Sequence, residues 1–176
     1  MSATHRVYLV PGMFGFGRLA GYDYFHHVRE ALASRYADAG IPLITEQVPT
    51  PPTSSLRHRS RILAKTVQQT AGADGPIHLL GHSTGGLDAR LVLTPTTNLQ
   101  IAPERLSWTS RAVSSVTLNT PHYGTPVASY FSTVAGAIRY FTTSTGAPSW
   151  VDPNRNFLDP VTVRSVFKGY LFQPLD

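Results

Sequence analysis

The sequence predicts an α/β fold in which helices cover both faces of a mostly parallel β-sheet. Short runs of apolar and β-branched residues alternate with segments whose apolar residues recur at helical spacing, which is the pattern of parallel sheets. A glycine-rich hexapeptide, residues 81–86, joins one such run directly to a helical segment. At 176 residues, of which 41% are hydrophobic and 14% charged, the chain is long enough to bury the core that this fold needs.

Four segments are predicted to form strands, because each is a short apolar or β-branched run bounded by turn-forming residues. In chain order they are Val7–Val10, Leu43–Val48, Pro76–Leu80 and Ala112–Leu118. The sequence between them predicts three helices from apolar residues at helical spacing. These are Tyr22–Ala39, which Gly40 stops, a helix from Ser54 or Ser55 to Ala71, and the segment after Ser83 that runs to Leu93.

The periodic pattern weakens after Pro126. We therefore expect an α/β core over residues 1–126 and a lid-like or divergent segment over residues 127–176. Within the second segment, Val127–Tyr140 has apolar residues at helical spacing. The remainder is rich in proline, glycine, asparagine and aspartate, and predicts no clear element.

Residues 81–86, Gly-His-Ser-Thr-Gly-Gly, contain a G-x-S-x-G motif between a predicted strand and a predicted helix. This context is the one that the motif's chemistry requires, because a sharp, strained turn lifts the serine oxygen clear of the sheet. The helix that begins behind the serine directs the positive end of its dipole at any oxyanion formed there. We therefore predict that Ser83 is a nucleophile. A glycine-rich turn with an incidental serine is the alternative, which the flanking pattern disfavours.

A glycine-rich loop, residues 12–21, follows the first predicted strand. It contains Gly15-Phe16-Gly17-Arg18-Leu19-Ala20, which matches the G-x-G-x-x-A fingerprint of dinucleotide-binding domains. That fingerprint turns directly off its strand, whereas Gly15 lies five residues past Val10. We favour a loop whose backbone N–H approaches the carbonyl of a substrate bound at Ser83, and a nucleotide-binding domain stays the alternative.

Composition and charge exclude several classes of protein. The chain has no cysteine and therefore no disulfide framework or thiolate chemistry. Its formal net charge is +5, and its one basic cluster, residues 57–65, has no interleaved aromatics. We expect that cluster to form a solvated helix flank, with no nucleic-acid partner. No signal-peptide pattern or membrane span is visible, so the default expectation is a cytoplasmic chain. We expect no cofactor and no metal.

The chain has seven histidines, of which His122 lies nearest to the expected chemistry. It follows the fourth predicted strand, and the carboxyl ends of parallel strands form the active-site edge of such sheets. A base usually comes after the acid in the chain order Ser, Asp, His, so a general base and a hydrogen-bonding loop residue both stay open for His122. His82, inside the motif, is expected to pack or hydrogen-bond beneath the serine, and His78 is expected to be structural.

Three blocks of the sequence together resemble the bacterial triacylglycerol lipases of the α/β-hydrolase superfamily. The blocks are residues 7–13, VYLVPGM, residues 81–90, GHSTGGLDAR, and residues 116–126, VTLNTPHYGTP. Their order and spacing also match, over roughly residues 5–130. Many esterases share the middle block, whereas the three blocks together are much more specific to the lipases. The resemblance implies an α/β-hydrolase fold and hydrolysis of carboxylic esters, above all acylglycerols.

The resemblance also implies roles for individual residues. Ser83 matches the family's nucleophile, which attacks the ester carbonyl and forms an acyl-enzyme. Met13 matches the first oxyanion donor and Thr84 the second, and both would act through their backbone N–H groups. Asp88 and Arg90 match the family's helix after the nucleophile and are expected to be structural.

The sequence departs from the family pattern at both ends. The first block usually contains His-Gly, whereas this chain has Pro11-Gly12, and proline supplies neither a backbone donor nor a polar side chain. The family's acid and base lie well over a hundred residues past the nucleophile, but here 93 residues follow Ser83 and none after His122 is a histidine. The available late acids, Asp152, Asp159 and Asp176, match nothing in the family pattern.

The missing late histidine has two explanations: the chain is a truncated or divergent form, or its base is unorthodox. It also keeps open an alternative to an active enzyme, namely a non-catalytic relative that binds acyl ligands. A sheet that lacks its later strands would expose an apolar edge, which favours self-association.

Overall fold

A computed structural model describes residues 2–12, 18–19, 22–51 and 54–125. The chain divides into two compact units, one formed by residues 1–52 and 57–120 and the other by residues 53–56 and 121–176. The first unit contains the main sheet and Ser83. In the second, residues 121–124 form a turn in which the Gly124 N–H donates to the Pro121 carbonyl at 3.0 Å. The expected lid-like segment, residues 127–176, lies outside the described residues.

Among the described residues, four parallel strands form the main sheet, as the sequence predicts. Their bounds are His5–Val10 for β1, Leu43–Gln47 for β4, Ile77–His82 for β5 and Ala112–Leu118 for β6. They lie in the spatial order β4-β1-β5-β6, and each neighbouring pair is parallel. Two short strands, β2 (Arg18–Leu19) and β3 (Tyr22–Asp23), form a separate antiparallel pair.

Helices lie on both faces of the main sheet. In chain order they are α1 (His26–Asp38), α2 (Leu56–Thr70), α3 (Thr84–Leu93) and a 3₁₀ helix (Pro103–Arg111). Alternate residues of β1 separate two apolar clusters, because successive strand side chains point to opposite faces. Tyr8 and Val10 pack with the buried faces of α2 and α3, whereas Val7 and Leu9 pack with Phe25 and α1. None of the helices in the described part of the chain is long and apolar enough to cross a membrane.

The helix bounds differ from the prediction at one important place. Sequence periodicity predicts a helix from Tyr22, but α1 begins at His26, because Tyr22 and Asp23 pair with β2 instead. The Asp23 carboxylate then accepts a hydrogen bond from the Phe25 backbone N–H at 3.1 Å, just before the helix. This start leaves Tyr24 outside the helix, at the end of the sheet that carries Ser83. The 3₁₀ helix was not predicted, and it begins with Pro103, whose fixed φ suits a first helical turn.

The expectation that the basic cluster on α2 is solvated is wrong for Arg59. Arg59 is 0% exposed, although His58 and Lys65 of the same basic cluster are exposed. Arg59, Leu63 and Val67 follow one another at intervals of four residues and share the buried face of α2. The arginine thus occupies a position in the apolar stripe, which requires that its charge find partners inside the protein.

A hydrogen-bonded chain of polar side chains crosses the amino end of the sheet. His5 Nδ1 lies 3.0 Å from His78 Nε2, and His78 Nδ1 lies 2.8 Å from the Ser114 hydroxyl. These residues come from β1, β5 and β6, so the chain links three adjacent strands. Burial, and in second place the nearby His5, lowers the pKa of His78. As the sequence predicts, His78 has a structural role.

The His78 contacts predict that stability falls as the pH is lowered. Since the folded-state pKa of His78 lies below the usual value of about 6.5, the unfolded chain binds more protons, and folding loses free energy as the pH drops through 6.5. We expect the urea midpoint to fall less between pH 7.5 and pH 5.5 in His78→Gln than in the wild type. His58→Gln, on the exposed side of α2, is the control and should follow the wild type. Equal losses in all three proteins would contradict the prediction.

Candidate active site

Ser83 lies in a sharp turn between β5 and α3. Its backbone has φ 55° and ψ −127°, a conformation that residues with a side chain rarely adopt and that costs about 1–3 kcal/mol. The turn is held by a hydrogen bond from the Ser83 N–H to the Leu118 carbonyl at 2.8 Å and by one from the Gly86 N–H to the Ser83 carbonyl at 3.1 Å. The side chain is half-buried. The strained strand–turn–helix geometry is the one that the sequence predicts for this residue.

The segment that follows β1 passes directly beside the Ser83 side chain. A Cβ atom added at Gly12 would lie 2.6 Å from Ser83 Cβ and 3.1 Å from Ser83 Oγ. A Cβ atom at Gly85, in the first turn of α3, would overlap the carbonyl groups of Val10 and Pro11. Only glycine permits these approaches, so the start of α3 and the end of β1 are in backbone contact around the hydroxyl.

A buried ion pair supports this contact from the side of α2. The Arg59 guanidinium donates from Nε to Asp88 Oδ2 of α3 at 2.9 Å, its Nη2 lies 2.7 Å from the same carboxylate oxygen, and both side chains are 0% exposed. The same guanidinium donates to the Pro11 carbonyl from Nη2 at 2.5 Å and to the Pro51 carbonyl from Nη1 at 2.8 Å. Arg59 therefore ties α2, α3 and the segment after β1 together.

Burial raises the pKa of Asp88 to about 7, while the charge of Arg59 and its hydrogen bonds act in the opposite direction. Asp88 Oδ2 contacts both Arg59 nitrogens, and Oδ1 has no hydrogen-bond partner among the described residues. Burial thus opposes the charged form of this carboxyl group, and Arg59 favours it. Asp88 is structural, as the resemblance implies, and Arg90 is exposed.

A third contact joins the same backbone segments on the side of α1. The Tyr24 hydroxyl lies 2.5 Å from Nδ1 of His82, the residue before Ser83. Tyr24 also has a hydrogen bond with the backbone of Gly12. As expected from sequence, His82 hydrogen-bonds beside the serine. Neither Tyr24 nor Arg59 was predicted as part of the site; an arginine within the apolar stripe of α2 was the one signal that could have found Arg59.

The structure describes some of the predicted site residues and not others. Thr84 is buried as the first residue of α3, at the positive end of that helix dipole. Met13 lies outside the described residues and follows Gly12 directly in the chain. Asp152, Asp159 and Asp176 also lie outside them. His122 belongs to the second unit, where it forms an isolated bridge with Gly124.

Among the described residues, one group of three metal-type side chains lies together, away from the Ser83 turn in sequence. His26 Nε2 is 3.4 Å and His27 Nδ1 is 3.8 Å from the Glu30 carboxylate, and all three residues are exposed on the first turns of α1. Spacings of three and four residues bring these side chains to one helix face, where they form surface ion pairs when the histidines are protonated.

Comparison with known proteins gives relatives of one kind. The chain is 29% identical over 130 residues to a triacylglycerol lipase of Pseudomonas fragi, an alignment that covers 73% of this chain and 38% of that protein. It is 33% identical over 88 residues to a triacylglycerol lipase of Vibrio cholerae, covering 49% of this chain and 26% of that protein. The aligned segments thus span about two fifths and a quarter of these relatives. No family model matches the chain.

A solved structure supports the fold. The crystal structure of a metagenomic carboxyl esterase matches with a TM-score of 0.51 and 20% sequence identity, covering 97% of this chain and 44% of that one. At this identity the likeness concerns the fold alone. It agrees with the parallel sheet, covered by helices on both faces, that the sequence predicts.

Removal of the Arg59 charge is predicted to destabilise the protein strongly. In Arg59→Met, Asp88 stays buried without its cation, a situation that costs about 3–5 kcal/mol. The pKa of Asp88, already raised, rises further, so the folded state takes up protons that the unfolded state releases above pH 4. The loss in unfolding free energy, measured by urea denaturation, should therefore be larger at pH 8 than at pH 5.

The matched control is Arg57→Met on the same helix. Arg57 is half-buried and donates to the Asn98 carbonyl in a hydrogen bond that is open to solvent, so its removal should cost no more than about 1 kcal/mol at either pH. A loss in Arg59→Met that is as small as the control's, or that does not depend on pH, would show that Asp88 is not held as a charge by Arg59.

Proposed function

Because the chain is a relative of the lipases and esterases with the α/β-hydrolase fold, we propose that it hydrolyses carboxylic esters with Ser83 as the nucleophile. The observation that carries this proposal is the backbone of Ser83, which is strained between a strand and a helix start. Strain of this kind persists only where the surroundings over-determine it, and it is concentrated at functional sites. Gly12, Gly81, Gly85 and Gly86 supply that over-determination through their close contacts.

In the proposed reaction, Ser83 Oγ forms a bond to the carbonyl carbon of the ester while its proton passes to a histidine base. The resulting oxyanion accepts hydrogen bonds from the backbone N–H groups of Met13 and Thr84, next to the positive end of α3. Collapse of the intermediate breaks the bond to the alcohol, which leaves with the proton, and a water molecule then releases the acid from Ser83. His122 is one candidate for this base.

Acylglycerols are the proposed substrate class. The relatives from Pseudomonas fragi and Vibrio cholerae are both named triacylglycerol lipases. The sequence offers Met13, Phe14 and Phe16 in the loop after β1 as apolar residues for an acyl chain, next to the serine in the proposed arrangement.

Labelling with a fluorophosphonate tests whether Ser83 is the nucleophile. This probe forms a covalent bond to an activated serine and needs no acyl-chain match, so we expect one label per chain, located at Ser83 by peptide mass spectrometry. Ser83→Ala should lose the label completely. Ser114→Ala should keep it, because Ser114 lies in regular strand backbone although its hydroxyl is 2.8 Å from His78.

Turnover of a short activated ester distinguishes an enzyme from a non-catalytic relative. Hydrolysis of p-nitrophenyl butyrate that disappears in Ser83→Ala supports the enzyme, and loss of that turnover in His122→Ala would identify the base. If Ser83 takes no label and turnover is equal in wild type and Ser83→Ala, the proposed function is wrong and an acyl-binding relative is the better description.

Substitutions at Met13 test the proposed backbone donor. Met13→Leu keeps the N–H group and should change kcat/KM by less than about threefold, whereas Met13→Pro removes one oxyanion donor and should lower it by about a hundredfold or more. Circular dichroism and the thermal midpoint show whether the proline variant is folded. Equal activity of a folded Met13→Pro protein and the wild type would exclude this amide from the oxyanion hole.

A further inference from the structure

We infer that Tyr24 is a positioning residue. Its hydroxyl fixes the distance between two backbone segments, one that ends at Gly12, just before Met13, and one that ends at His82, just before Ser83. This inference rests on the proposed function, since these two segments carry the proposed oxyanion donors and the nucleophile. The Tyr24 hydroxyl contacts both, through the Gly12 backbone on one side and His82 Nδ1, 2.5 Å away, on the other.

The location of the contact explains why the two segments need a bridge. The backbone pairing of β1 with β5 ends at Val10 and Gly81. Gly12 and His82 lie just past the end of the ladder, where ordinary sheet hydrogen bonds no longer set their distance. The phenol of Tyr24 joins them at this point.

The directions of the two hydrogen bonds follow from the donors that are available. A hydrogen bond from the Gly12 backbone lowers the pKa of Tyr24, against the larger opposite effect of burial, and the Gly12 N–H is the group that acts in this sense. The phenol keeps its own O–H, and we assign it as the donor to His82 Nδ1, which leaves the imidazole proton on Nε2. The hydroxyl thus accepts one hydrogen bond and donates the other, and a shift of either segment would break one of them.

Arg59 and Tyr24 hold the segment after β1 by different groups. Arg59 binds the Pro11 carbonyl, and Tyr24 binds the N–H of the next residue, Gly12. An oxyanion hole works only when its donors are held within a few tenths of an ångström, which requires support of this kind from neighbouring residues. The Arg59 contact fixes the segment against α2 and α3. The Tyr24 contact fixes it against the residue that precedes the nucleophile.

Tyr24→Phe tests the inference, because it removes the hydroxyl and keeps the ring that packs edge-on against Phe25 at 4.8 Å. We expect kcat for p-nitrophenyl butyrate and the rate of fluorophosphonate labelling to fall by about tenfold to a hundredfold, somewhat less than for loss of an oxyanion donor itself. KM should change by less than about twofold, since the phenol does not touch the substrate. The thermal midpoint should stay close to that of the wild type.

The matched control is Tyr36→Phe. Tyr36 also belongs to the α1 region and its hydroxyl lies 3.3 Å from a histidine ring nitrogen, but that histidine is His5 at the other end of the sheet. Its removal should leave kcat and the labelling rate unchanged. A readout that does not depend on activity comes from nitrogen NMR of His82, where Nδ1 should be the unprotonated, hydrogen-bonded nitrogen in wild type and should change its shift in Tyr24→Phe.

The outcomes separate the inference from the proposed function. If the wild type takes no label at Ser83, the proposed function fails and the positioning role fails with it, whatever the NMR shows. If the wild type is labelled and Tyr24→Phe is labelled at the same rate, only the inference is overturned. A higher KM with unchanged kcat would make Tyr24 a substrate-binding residue, and a rate loss that parallels a fall in the thermal midpoint would make it structural; either result also overturns the inference.

Discussion

The close approach of two backbones around Ser83 is the constraint on which the rest of the structure depends. The first turn of α3 lies so near the end of β1 that a Cβ atom at Gly85 would overlap the carbonyls of Val10 and Pro11. Because of this contact, the turn at Ser83 is too short for relaxed backbone angles, and Ser83 has a strained conformation with φ 55°. Its side chain is consequently presented beside Gly12 at the carboxyl edge of the sheet, where open α/β folds bind their ligands.

Strain at Ser83 must be offset by interactions elsewhere, and in the described residues the Arg59–Asp88 ion pair, with both side chains 0% exposed, lies directly behind this turn. Two charges taken out of water do not by themselves stabilise a fold more than apolar side chains of the same size would. What this pair adds is hydrogen bonding with a fixed geometry. The planar guanidinium donates to one carboxylate and two backbone carbonyls at once, which an apolar residue could not do. The pair therefore specifies where the segment after β1 lies, in addition to any stability it contributes.

Much of this arrangement could be predicted from sequence, because it follows from local patterns. The four strands, the side of the sheet that carries Ser83, and the turn at Ser83 follow from apolar runs and from the spacing of Gly81, Ser83 and Gly85. What could not be predicted depends on contacts between residues far apart in the chain. Arg59 meets Asp88 across 29 positions and Tyr24 meets His82 across 58, and no local pattern encodes either meeting. The late start of α1 has the same origin, since Tyr22 and Asp23 leave the helical pattern to pair with β2.

The two ends of the sheet show why side-chain identity alone does not define a nucleophile. At the amino end, Ser114 and His78 form a hydrogen bond of 2.8 Å, with His5 behind it at 3.0 Å, a sequence of groups that resembles a catalytic chain. Ser114, however, lies inside β6 and is paired in register with His78, so its hydroxyl cannot approach a helix N-terminus or a second strand end. Ser83 lies at the N-terminus of α3 and beside Gly12, just past the end of β1, and its backbone conformation holds its oxygen away from the sheet. Backbone geometry thus favours the proposed chemistry at the carboxyl end, whereas the serine and histidines at the amino end connect neighbouring strands.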